Sequence, residues 1–96
     1  MVTVWSKRAR MELHLAYEYI LQDSPQNAVK VRNEIIETTI KLSEHPEKHP
    51  PDKYKKSNDG NWRAFEIYHF RVTYRVMQNE IRIVRMRQTS RTPINF

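Results

Sequence analysis

The sequence predicts an α+β domain of order β-α-α-β-β-β, a helical hairpin packed on one face of a mainly antiparallel sheet. Three observations lead there. From Phe70 to Val76, apolar Phe70, Val72, Tyr74 and Val76 alternate with Arg71, Thr73 and Arg75, the period of two that a half-buried strand requires. From Ala9 to Leu42 the apolar residues recur at helical spacing instead, interrupted at Asp23-Ser24-Pro25. The chain has 96 residues, which suits a single domain (1–96) with a limited core, one helix layer on one sheet.

Each element has its own signal. Val2-Thr3-Val4-Trp5 is β-branched and aromatic and reads as a first strand added to the main sheet. Ser6 is a suitable N-cap for a helix carrying Ala9, Leu13, Ala16, Tyr17 and Ile20 on one face and ending near Gln22. Ser24 or Asp23 can cap the second helix, with Pro25 in its first turn, where a missing N–H costs nothing. That helix carries Ala28, Val31, Ile35, Thr39 and Leu42 on its stripe, widened by Val29, Ile36 and Ile40, and ends at Ser43 to Pro46. The short connection makes the helices antiparallel. His45 to Asn61 is a loop with Pro46, Pro50, Pro51 and the chain's one glycine, Gly60. Its length is unusual for a structureless connection and typical of mobile or functional segments. Strands are expected at about Trp62–Tyr68, His69–Met77 and Glu80–Gln88, with Thr89 to Phe96 as a tail.

Composition excludes several classes. With no cysteine there is no disulfide framework and no thiolate chemistry. The start MVTVWSKRAR lacks the apolar run of a signal peptide, and no stretch approaches the roughly 20 apolar residues of a membrane span. A soluble cytoplasmic protein is expected. The net charge is +6 and is unevenly placed: residues 1–44 hold six basic and six acidic residues, residues 45–96 eleven and five. Such asymmetry points to a polyanionic partner, nucleic acid or an acidic protein segment, or to a basic surface with a solubilising role only.

The candidate site is the arginine set of the last three strands, Arg63, Arg71, Arg75, Arg82, Arg85, Arg87 and Arg91. Arg71 and Arg75 face away from the core side of their strand. In the last strand Val84 and Met86 read as core, which would put Arg85 and Arg87 on the open face. Ile81 and Ile83 share the arginines' parity, however, so the alternation cannot be regular throughout and one bulge would reverse it. Guanidiniums so clustered stay charged and bind phosphate bidentately; the plainer alternative is a solvated face with cross-strand ion pairs to Glu66 and Glu80. His69, read as opening the middle strand on the parity of Arg71, is the acid/base candidate on that face. His45 and His49 are four apart, but Pro46, Pro50 and Pro51 oppose a helix presenting both to a metal, so no metal site is read. Neither a Gly-rich phosphate loop nor a nucleophilic-serine motif is present. Chemistry here must use Arg, Lys, His, Tyr and Glu. RNA cleavage fits that kit, because the 2′-hydroxyl supplies the nucleophile and the protein need only position it and stabilise charge.

The chain resembles the RelE/ParE superfamily of bacterial type II toxins over nearly its whole length. The resemblance is carried by the early strand, Ala9…Leu13…Tyr19-Ile20, Ser24-Pro25…Ala28, Leu42…His45-Pro46, Arg63-Ala64-Phe65, Phe70-Arg71-Val72-Thr73-Tyr74-Arg75-Val76, Ile81-Arg82-Ile83-Val84-Arg85-Met86-Arg87 and Gln88-Thr89-Ser90-Arg91-Thr92-Pro93. It implies a toxin neutralised by a cognate antitoxin, usually a neighbouring-gene product, which wraps the toxin with a segment that is disordered until bound. One branch, RelE-like, cuts mRNA on the ribosome with basic residues of the sheet; the other, ParE-like, poisons DNA gyrase and is not known as a nuclease. By position Arg71 matches the RelE-like arginine of the middle strand, Arg91 the one after the last strand, and Lys53, Lys55 and Lys56 the basic residues before the second strand. Gln88 stands where many relatives have histidine, and the RelE-like C-terminal tyrosine has no counterpart beyond Phe96.

The sequence expectation is therefore a growth-arresting toxin acting as a metal-independent, ribosome-dependent mRNA endoribonuclease. Arg71, Arg87, Arg91 and His69 would be catalytic, and Lys53, Lys55, Lys56, Arg63, Arg75, Arg85 and Gln88 would hold nucleic acid. The alternatives are a gyrase poison without nuclease activity and a non-catalytic nucleic-acid-binding module. The expected partners are an antitoxin and either ribosome-bound mRNA or gyrase, with no membrane and no small-molecule cofactor.

Overall fold

A computed structural model describes residues 1–90 and 95–96. Strand β1 (Val2–Trp5) leads through Ser6 into α1 (Lys7–Leu21), α2 (Pro25–Lys41) follows, and β2 (Trp62–Ile67), β3 (Phe70–Val76) and β4 (Glu80–Gln88) complete the chain. The Ser6 and Ser24 hydroxyls accept from the backbone N–H groups of Ala9 and Asn27, each satisfying a donor of the first turn that has no helical partner. The sheet order is β1-β4-β3-β2, with β1 parallel to β4 and the other pairs antiparallel.

The helices and the inner sheet face share one core. Ile35, Val72, Tyr74, Ile81 and Ile83 are completely buried, with Leu42, Phe65, Phe70 and Met86 around them. Ala9, Ala16 and Ala28 are the buried small residues of the helices, and their size permits close packing. Thr39 is buried because its hydroxyl donates to the Ile36 carbonyl and accepts from the Trp5 indole N–H. Val29 and Ile40, expected to widen the apolar stripe of α2, are instead exposed.

The hairpin between β2 and β3 is tighter than expected. Tyr68 and His69 have φ of +51° and +65°, the left-handed pair of a type I′ two-residue turn, whose twist matches that of the flanking strands. The strands therefore end at Ile67 and resume at Phe70, and His69 belongs to the turn and not to the middle strand.

β4 contains the bulge that its mixed parity requires. Thr73 pairs with Arg85 but Tyr74 pairs with Ile83, leaving Val84 without a partner in β3. The extra residue reverses the alternation. Ile81 and Ile83 face the core before it and Met86 after it, while Arg85 and Arg87 lie opposite Thr73 and Arg71 on the open face. The bulge sits where β1 ends: the Ser6 hydroxyl donates to the Val84 carbonyl at 3.0 Å and the Ser6 N–H to the Ile83 carbonyl at 2.9 Å.

The 45–61 loop is tied down along much of its length. The Tyr74 hydroxyl, whose pKa burial pushes up, donates to the Pro46 carbonyl. Pro51 makes an isolated bridge to Arg63, and the Asp52 N–H donates to the Trp62 carbonyl. His49 stacks on Phe65 with ring centroids 5.0 Å apart. Among the described residues no helix is long and apolar enough to cross a membrane.

Deleting Val84 should turn Arg85 and Arg87 toward the helices and abolish cooperative thermal unfolding, whereas Val84→Ala, which keeps the register, should cost only about 1 kcal/mol. Burial, and after it the Lys48 charge, hold the His49 pKa below its ordinary 6.5. The unfolded chain thus takes up this proton first as pH falls. The stability His49 confers is present above about pH 6.5 and is lost as pH falls toward the folded-state pKa. The melting temperature should drop across that window, and His49→Gln should reduce the slope.

Candidate functional site

The open face of the sheet carries the site. β3 supplies Arg71, Thr73 and Arg75, β4 supplies Arg82, Arg85 and Arg87, and β2 supplies Trp62, Ala64 and Glu66. Arg71 and Arg87 are direct cross-strand partners, an arrangement that costs free energy unless compensated, because like charges opposite each other repel.

The compensation comes from the loop. Asp52, with 1% of its side chain exposed, accepts from Arg71 Nη2 at 2.9 Å, from Thr73 Oγ1 at 3.1 Å and from the Tyr54 N–H at 3.0 Å. Glu66 accepts from the other terminal nitrogen, Nη1, at 3.1 Å. The Tyr54 ring lies 4.9 Å from the Arg71 guanidinium carbon, in cation–π range. Arg71 is thereby clasped by two carboxylates and an aromatic face. Arg85 reaches the edge of the sheet, where Nη2 stands 3.5 Å from Glu12 Oε2; burial pushes its pKa down, an effect that Glu12 opposes. Arg87 makes no ion pair among the described residues, and its Nη1 is buried without a hydrogen-bond partner. Asp52, Tyr54, Glu66, Arg71, Thr73, Arg85 and Arg87 line one cleft together with Gln88, Thr89 and Phe96.

A second cluster lies toward the other end of the same face. The Arg75 guanidinium sits 5.1 Å from the Trp62 ring and the Lys55 ammonium 4.9 Å from it, with Phe96 edge-on to Trp62. Lys53 packs on Tyr54, and the Lys56 N–H donates to the Phe96 carbonyl.

The structure thus brings Arg71, Arg85, Arg87 and Gln88 to one cleft, with Arg75, Lys53, Lys55 and Lys56 beside it. Two expected residues are elsewhere. Arg63 has the opposite parity, facing the helix side, and donates to the carbonyls of His49 and Glu47 at 2.6 and 3.4 Å; it braces the loop. His69 contributes its carbonyl to the N–H and hydroxyl of Thr89 and does not line the cleft. The reason is the left-handed turn, which takes His69 out of the strand alternation that had aligned it with Arg71. Arg91 lies outside the described residues. The residue that sequence reasoning missed is Asp52: no local pattern marks it, and its partners are 19 and 21 positions away.

Arg87 is the one arginine of the cleft with no carboxylate partner among the described residues. The cleft offers no imidazole among its described lining residues, and its two carboxylates are committed to Arg71. Asp52→Ala should leave Arg71 with one carboxylate and the Tyr54 N–H without its acceptor, at a cost of about 3 kcal/mol in urea unfolding. Glu66→Ala, at an exposed position, should cost less than about 1 kcal/mol.

Comparison with known proteins agrees with this architecture. The model of the family described as the ParE toxin of the type II toxin-antitoxin system, parDE, matches residues 3–93. No curated protein sequence matches the chain. A solved structure described as a chromosomal ParDE TA system from P. aeruginosa superposes with a TM-score of 0.72 at 24% identity, covering 94% of this chain and 97% of that chain. At that identity the likeness shows a shared fold, two helices on a four-stranded mixed sheet. The match over residues 3–93 makes the chain a member of the ParE toxin family of type II toxin-antitoxin systems.

Proposed function

We propose that this chain arrests growth by binding its target and not by cutting RNA. The target is DNA gyrase, as the ParE-like branch implies, and a cognate antitoxin silences the toxin. Of the two branches weighed from the sequence, this is the one the site supports better, and the clasp on Arg71 carries the reading. A ribonuclease of this kind needs that arginine free for the scissile phosphate. Here a phosphate that took the terminal nitrogens of Arg71 would displace the charge-assisted hydrogen bond to buried Asp52, worth about 1.5–3 kcal/mol, and the weaker one to exposed Glu66, and would leave Asp52 without its cation; the remaining nitrogen, Nε, is buried. Proton transfer is the other requirement. His69 stands outside the cleft, and Gln88, where many relatives carry histidine, has an amide that does not titrate at neutral pH. The groups that suit a binding surface are present. Arg87 has no carboxylate partner among the described residues, and the Arg75–Trp62–Lys55 cluster offers charge on an aromatic platform.

Induction in growing bacteria, followed within minutes by primer extension on abundant transcripts, tests the reading. Transcripts should stay intact, while the purified protein inhibits supercoiling by gyrase. Arg87→Ala should weaken that inhibition by roughly tenfold. Cuts inside translated codons that disappear in an Arg71→Ala strain would replace this reading with the ribonuclease one.

A further inference from the structure

The two outer strands of the sheet are treated differently. The outer edge of β2 is closed by the loop: the Asp52 N–H donates to the Trp62 carbonyl, the Ala64 N–H to the Pro50 carbonyl, and Pro51 bridges to Arg63. At the other end of the sheet, β1 pairs with β4 on one side only. The Ser6 N–H turns inward to the Ile83 carbonyl. Backbone groups alternate in direction along a strand, so Val2 and Val4 also turn theirs toward β4, and Thr3 and Trp5 turn theirs outward. Neither Thr3 nor Trp5 makes a main-chain hydrogen bond outside the sheet among the described residues. An edge of this kind is a template for another strand.

The side chains of β1 give that edge two unlike faces. Thr3 and Trp5 turn to the helix side, where the Thr3 hydroxyl donates to the Thr39 carbonyl and the Trp5 indole to the Thr39 hydroxyl. Val2 and Val4 turn to the open face, beside Glu80 and Arg82 of β4, and are 63% and 40% exposed. Soluble proteins protect an edge strand with a lysine, a proline, a bulge or a covering segment, or by keeping it short. Val2-Thr3-Val4-Trp5 has neither lysine nor proline and pairs with β4 in unbroken register. Only its length of four residues limits it. The strand carries no charged side chain, and the ions beside it, Glu80 and Arg82, are bonded to each other at 3.0 Å.

We infer that the β1 edge is a self-association surface, on which a second copy of this chain adds its own β1, antiparallel, about a two-fold axis at Val4. The register that uses both outward residues of both copies pairs Thr3 with Trp5. Each of these two pairs then exchanges both N–H···O bonds, and between them Val4 meets Val4 on the open face, at the closer spacing of a non-hydrogen-bonded pair. Charge selects this occupant. An acidic segment or a nucleic acid finds no unpaired cation at β1. Two copies set their Arg82 residues three strand spacings apart, roughly 14 Å, which exceeds the screening length of about 8 Å at physiological ionic strength. Paired edges keep one face in common, so the joined sheet carries both Arg71–Arg87 clefts on the same side. A four-residue strand buries less than the roughly 1,200 Å² of a stable interface. The association is therefore weak, with a dissociation constant on the order of 10–100 μM.

Sedimentation equilibrium of the full chain from about 1 to about 300 μM is the test. The average mass should rise toward that of two chains across the range. Val4→Lys, at an exposed position, sets two ammonium groups against each other at the axis and should stay monomeric, as should Val4→Glu. An equimolar mixture of the two variants should recover the dimer, with an affinity about tenfold or more above that of either alone. Thermal unfolding of each variant at about 1 μM, where the wild type is monomeric, should match the wild type and so excludes a folding defect. In the wild type, with no substitution, amide exchange at Thr3 and Trp5 should slow about threefold or more from the bottom of the range to the top, and at Val2 and Val4 it should not change. A wild type that remains monomeric at the highest concentration would overturn the surface. So would a dimer that Val4→Lys leaves intact, a mixture of the two variants that stays monomeric, or exchange at Thr3 and Trp5 that ignores concentration.

Discussion

The rest of the structure depends on one extra residue in β4. Ile81 and Ile83 must face the helices to close the core, and Arg85 and Arg87 cannot follow them there without burying two unpaired cations. Val84 resolves the conflict by stepping out of register, so one strand contributes to the core on both sides of the bulge and to the basic face after it. The position is set by neighbours on the other side of β4. There β1 ends and the Ser6 hydroxyl takes the Val84 carbonyl. The bulge, the end of β1 and the start of α1 therefore form a single junction.

The basic face creates its own electrostatic problem, and the loop solves it. Arg71 and Arg87 sit side by side across β3 and β4. Asp52 is carried over them by a segment that adds to the β2 edge through the Pro51–Arg63 bridge and the Asp52–Trp62 hydrogen bond. Arg63 holds the same segment from the opposite face through the carbonyls of residues 47 and 49. Much of the arginine-rich character is thereby internal, since Arg71 and Arg63 are structural cations, and Arg87, Arg75 and the lysines remain for a partner. A count of basic residues overstates the charge that a ligand meets.

The cleft on the open face and the groove beside α1 share a wall. The cleft opens on the outer face of β3 and β4, and the groove lies along the uncovered edge of β4 beside α1. Arg85, Arg87 and Gln88 line both.

Period and capping made most of the fold legible in the sequence. Local alternation located β3, the Ser6 and Ser24-Pro25 signals located the helices, and the mismatch between Ile81-Ile83 and Val84-Met86 showed that β4 could not be regular. Those features follow from neighbours within a few residues, where sequence spacing and spatial spacing coincide. The basic face was legible for the same reason. The tertiary structure alone decided what the arginines do. Whether Arg71 is free or clasped depends on a carboxylate 19 positions away, and whether His69 reaches the cleft depends on the handedness of a two-residue turn. Charge compensation acts through space, between groups that the chain brings together only when it closes on itself. Composition and periodicity therefore determined the surface, and the packing of the 45–61 loop determined which of its charges remain available.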